Sequence, residues 1–180
     1  MKLFALLALV LAMAGPNAGS AQTRLDEHDV QFLEQAAQLG TLDIQASQLA
    51  LQSAAEESVK QYAQRILIEH ERIAGDLQGL ASTHQVKLPT ELEGGALDTL
   101  TSLQQEQGVE FDQRYIDEVA IGAHEYAIKL FKEASEKTQN QDINAFAVKS
   151  LSILQQHLNR ARNIAKNCRV RTPDIGQTLL

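Results

Sequence analysis

A chain of 180 residues with a formal net charge of −7 can bury one core, and it is too acidic to favour nucleic acid or anionic lipid as a partner. A single cysteine, Cys168, excludes an internal disulfide, so packing must hold the fold. Period-two runs of β-branched and aromatic residues are absent, while Ala, Leu, Gln, Glu and Lys dominate, which points to helices.

The chain opens with "MKLFALLALVLAMAGPNAGSAQ": a basic Lys2, an apolar run over residues 3–14, and small residues from Ala18 to Ala21. That is the layout of a secretory signal peptide over residues 1–21, with cleavage expected after Ala21. The apolar run is too short to span a bilayer. The expectation is a periplasmic or secreted protein with no membrane span after signal removal. No cysteine stands near the cut, which argues against a lipid anchor. Residues 22–167 are expected to form one helical domain, and residues 168–180 a loose tail.

The first helix is expected over residues 27–52, capped by Asp26 or Asp29 in the acidic "LDEHD". "SAAE" then matches a capping box, with Ser53 as cap and Glu56 reaching back, and starts a second helix that runs to about His84. "VKLPTELEGGAL" breaks the pattern at Pro89, Gly94 and Gly95. A short helix follows in "LDTLTSLQQEQ", ended by Gly108. Third and fourth long helices are expected over 110–137 and 142–167, separated by the polar turn "KTQNQD". The tail "RVRTPDIGQTLL" has no periodicity and carries Pro173 and Gly176. Short connections make the first and second helices, and the third and fourth, antiparallel neighbours. The fold class is all-α, a four-helix bundle with a short extra helix in the long middle connection. Composition does not decide whether that connection spans the bundle.

The stretch "ILIEHERI" places a histidine on the apolar seam of the second helix: Val59, Ala63, Ile66, His70, Ile73, Leu77, Leu80. The fourth helix repeats this with Ile143, Ala147, Ser150, Leu154, His157, Ala161 and Ile164. In the third, His124 shares a stripe with Ala120, Ala127 and Phe131. In the first, Asp43 lies between Leu39 and Ala46. Each of the four sits near the middle of its helix. At about 1.5 Å of rise per residue they stack within about two turns of one level. Burying such groups is costly unless each finds a partner. Two arrangements satisfy them: a hydrogen-bonded His–Asp network, or a single transition metal ion such as zinc, iron, manganese or copper held by His70, His124, His157 and Asp43. Glu69, Glu71, Asp117 and Glu125 are carboxylates close enough in sequence to help. His28 and His84 lie near helix ends and read as surface residues, and Tyr62, Tyr115 and Tyr126 as packing residues. GxSxG, phosphate-loop, CxxC and HExxH motifs are absent.

The stretches "FLEQAAQLGTLDIQASQLALQSAAEESVKQYAQRILIEH", "GVEFDQRYIDEVAIGAHEYAIKLF" and "FAVKSLSILQQHLNRA", with Leu88–Pro89 between them, carry a family likeness. The chain resembles the domain of unknown function 4142 family, secreted bacterial proteins grouped with ferritin-like folds, over about residues 29–165. The resemblance implies a ferritin-like bundle with histidine at His70, His124 and His157. It also implies glutamate where this chain has Asp43, and proline where it has Ser152. It brings no assigned activity. Di-iron carboxylate bundles use Glu-x-x-His pairs, whereas here Leu67, Ile121 and Leu154 precede the histidines by three. A di-iron centre is therefore disfavoured. One functional reading is a bundle that binds one transition metal in storage, sensing or a stress response. The other is a structural or interaction protein whose buried His/Asp network fixes helix register. An enzymatic role comes third. No protein partner is named by the sequence, and a homo-oligomer stays open.

Overall fold

The computed structural model describes residues 25–171, with side chains described through residue 167. The expected signal segment 1–21, residues 172–180 and the side chain of Cys168 lie outside the described residues. The elements are α1 (Glu27–Ser53), α2 (Glu57–Thr83), α3 (Gly94–Leu103) and α4 (Gly108–Arg114), a π-helical segment (Tyr115–Ala123), α5 (His124–Lys137) and α6 (Gln141–Arg171). The segments α4, π and α5 follow one another without a break and make the third long helix. Among the described residues no helix is long and apolar enough to cross a membrane.

Asp26 caps α1, its Oδ1 accepting from the Asp29 N–H at 2.8 Å. The capping box expected at Ser53 and Glu56 does not form. Ser53 is the last residue of α1, and Glu56 takes the N-cap position of α2. The orphan donors of this corner are met from elsewhere. Asp112, buried on α4, accepts from the N–H groups of Ala55 at 3.1 Å and Glu56 at 2.8 Å. A charged acceptor shared by two backbone donors is stronger than the local hydroxyl it replaces. Asp112→Ala is expected to cost about 1–3 kcal/mol by stranding both donors, read as a lower midpoint in urea unfolding.

The helices form a bundle in which α1 packs on α2, α5 on α6, α2 on α6, and α1 against the π segment and α5. The connection from α2 back to α4 crosses the full length of the bundle. It leaves α2 at Thr83 and runs alongside α1. There Gln38 donates to the Glu91 carbonyl at 2.6 Å and accepts from the Glu93 N–H at 3.1 Å. It arrives at Gly108, which pairs with Ala54 at the opposite end. A φ of +67° at Gly108 turns the chain into α4, a conformation that glycine adopts without steric cost. One long crossover of this kind is the ferritin-like arrangement.

Two apolar clusters fill the interior. One gathers Leu42, Ala46, Val59, Ile66, Phe111 and Tyr115. The other gathers Phe32, Leu33, Leu77, Phe131, Phe146 and Leu154. His70 lies between Ile66 and Ile73, His124 between Ala123 and Ala127, and His157 between Leu154 and Ala161, so in each helix the histidine falls where one cluster gives way to the other.

Candidate metal centre

This boundary is a polar layer sealed from water. The side chains of Asp43, His70, His124 and His157 are all 3 % exposed or less. The three imidazoles each offer one nitrogen, and those nitrogens lie within 4.8 Å of one another. His70 stacks on His157 with centroids 5.3 Å apart, and His124 stands edge-on to both. Asp43 is not part of that convergent set. Its Oδ2 is 3.3 Å from His70 Nδ1 and its Oδ1 is 3.6 Å from His124 Nδ1, so it backs two rings rather than sharing their focus.

Hydrogen bonding assigns the ring edges. His124 Nδ1 lies 3.2 Å from the Val119 carbonyl, inside the π-helical segment. A carbonyl only accepts, so Nδ1 carries the proton and Nε2 is a bare lone pair. The π-helical segment ends directly before His124, and π turns inside α-helices are frequent at functional sites. His124 Nε2 faces His157 Nδ1 at 3.3 Å. The outer nitrogen of His157, Nε2, contacts Glu69 Oε2. Both nitrogens of His70, and Asp43 Oδ1, are buried without a hydrogen-bond partner. The 3.3 Å between His70 Nδ1 and Asp43 Oδ2 is thus a proximity and not a directed bond.

Burial sets the protonation of the layer. It holds His70 well below the usual imidazole range, and the neighbouring His124 and His157 add to this. Burial takes His124 down to about 4, with His157 adding and the Val119 bond opposing. His157 is also lowered by burial, against the pull of Glu69. Burial raises Asp43 well above the ordinary carboxylate range. All three rings are therefore neutral at pH 7, as metal ligation requires.

A lowered histidine pKa means that the unfolded chain takes up protons first as pH falls. Stability from the three rings is whole above the unfolded value of about 6.5 and is lost below it. Asp43, raised, acts with the opposite sign, but it is one group against three. Metal-free protein is expected to lose stability steadily from pH 6.5 toward the His124 value of about 4, measured as urea midpoints across that window.

Of the carboxylates near the histidines in sequence, only Glu69 reaches the layer. Glu71, Asp117 and Glu125 are exposed, and Glu125 pairs outward with Arg162 at 2.7 Å. His28 is exposed. His84, expected at the surface, is instead inside: its side chain is 3 % exposed, 3.6 Å from Asp142. The chain turns sharply after it. Gln85 takes φ 59° and the Val86 N–H returns to the Ala81 carbonyl at 2.9 Å, the left-handed stop of a helix C-terminus. Tyr62 and Tyr115 are buried and pack edge-on at 6.3 Å, while Tyr126 is exposed and donates to Gln35. The π segment carried no periodic signal, and only Gly122, whose missing Cβ would sit 3.2 Å from the Asp117 carbonyl, hints at it. A surface groove of about 1150 Å³ between the crossover and α1 is lined by none of the four polar residues.

The sequence pattern of the family described as Domain of unknown function (DUF4142) matches residues 14–164. The chain belongs to that family. No curated protein and no solved structure matches it. The DUF4142 description covers all four long helices nearly to the end of α6, and so the whole polar layer.

Proposed function

We propose that this DUF4142 bundle binds and retains one transition metal ion at His70, His124 and His157. The observation that carries the reading is the 3.3 Å between His124 Nε2 and His157 Nδ1 in a sealed, neutral layer. Nitrogen ligands about 2.0–2.1 Å from a tetrahedral zinc stand about 3.3 Å apart. A self-contained hydrogen-bond network explains the layer less well, because both His70 nitrogens and Asp43 Oδ1 stay unpaired in it. Leaving such groups unmet costs about 1–3 kcal/mol each, so a cation that takes up ring lone pairs fits the donor set.

Three neutral imidazoles suit zinc, copper, iron or nickel and do not suit magnesium or calcium. Of the two carboxylates at the layer, Asp43 lies behind the rings and Glu69 at the outer edge of His157, so a carboxylate-bridged pair of ions is not supported. Asp43 would orient His70 and His124 and balance the ion's charge. Because the three ligands come from α2, α5 and α6 and Asp43 from α1, one ion would tie all four helices at a single level. Three protein ligands would leave the fourth position of a tetrahedral ion open, so the retention reading rests on the burial of the layer and not on a closed ligand set. Untagged protein, dialysed against zinc or copper and then against buffer, is expected to keep one ion per chain by elemental analysis. Protein that keeps none with either metal would overturn the proposal.

A further inference from the structure

Resting on that metal-binding reading, we propose that the ion is gripped asymmetrically, through Nε2 of His70, Nε2 of His124 and Nδ1 of His157. Glu69 is the positioning residue that imposes the exception. His157 Nε2–H donates to Glu69 Oε2. The other oxygen of Glu69 takes the Arg65 guanidinium at 2.8 Å, and an ionised carboxylate paired in this way only accepts. The proton of His157 therefore sits on Nε2, and Nδ1 is the bare nitrogen turned toward His124. The other two rings are set the opposite way. His124 gives Nδ1 to the Val119 carbonyl and so presents Nε2 inward, while His70 has Nδ1 3.3 Å from Asp43 Oδ2 without a directed bond, and its Nε2 is assigned as the inward nitrogen on that proximity.

Glu69 can do this because it precedes His70 by one residue. Adjacent helical positions differ by about 100° around the axis, so Glu69 points sideways out of the core while His70 points in. That direction leads to the outer edge of His157 on α6, and it leaves Glu69 a quarter exposed while the ligands are sealed. Glu69 thus acts through His157 and does not touch the ion. An Nδ1 ligand also lies nearer its own backbone than an Nε2 ligand does, which draws the ion toward α6.

The test uses full-length protein labelled with ¹⁵N and long-range ¹H–¹⁵N correlation of the imidazoles. Without metal, His157 is expected as the Nε2–H tautomer and His124 as the Nδ1–H tautomer. With zinc, His157 alone is expected to bind through Nδ1. Glu69→Gln keeps an acceptor oxygen and is expected to hold zinc within a few-fold of wild type. Glu69→Leu removes the acceptor, so His157 should populate both tautomers and zinc should bind about 10–100-fold more weakly. Zinc on Nε2 of His157, an Nδ1–H tautomer in the metal-free protein, or wild-type affinity in Glu69→Leu would each overturn the assignment. If wild-type protein binds no zinc, the metal reading fails on its own, and the metal-free spectrum still decides the tautomers.

Discussion

Zinc at about a thousand times its dissociation constant is expected to stabilise the fold by about 4 kcal/mol, because only the native state brings the three histidines together. In a chain of this size each kcal/mol moves the melting temperature by about 2–4 °C, so the shift should be about 8–16 °C. His124→Ala deletes the nitrogen that faces His157 across 3.3 Å and is expected to abolish that shift. Differential scanning calorimetry of both proteins, with zinc and with chelator, provides the measurement. A shift that survives in His124→Ala would place the ion away from the polar layer. The variant also removes a fully buried side chain, so the comparison is made within each protein, between its zinc and chelator melts.

The second large effect concerns the apolar cluster beyond the layer. Phe131 is 4 % exposed and packs edge-on to Phe32 with centroids 5.0 Å apart and against Phe146 at 5.7 Å. Phe131→Ala is expected to cost about 3–5 kcal/mol through lost transfer energy and the cavity left behind. Phe131 lies two turns beyond His124 on α5, about 10 Å along the axis, so its loss should add to that of the metal and not couple with it. The zinc-dependent shift should therefore persist in Phe131→Ala at about its wild-type size. A shift that vanishes with Phe131 would mean that cluster and layer form one cooperative unit, and that the ion reports on packing rather than on its own ligands.

Local periodicity carried much of this protein. A seam repeating in steps of four and three is a property of neighbouring residues, so four long helices and their inward faces could be read from the chain alone. The rise per residue put Asp43, His70, His124 and His157 near one level before any packing was known. What sequence spacing lacks is information on contacts between distant segments, and those decided the rest. The α1–α2 corner looks like a capping box at Ser53 and Glu56, yet Asp112 caps it from 56 and 57 residues away. The crossover runs the length of the bundle because Gln38 holds Glu91 and Glu93 against α1 and Gly108 reaches Ala54. His84 looks exposed from its place at a helix end, yet its side chain is buried beside Asp142 at the start of α6. The π-helical segment before His124 has no local signature beyond Gly122, because its residues continue the stripe of an ordinary helix. Which nitrogen of His124 and His157 carries the proton is set only in three dimensions, by Val119 and Glu69, since a histidine's two nitrogens differ only in the partners that surround them.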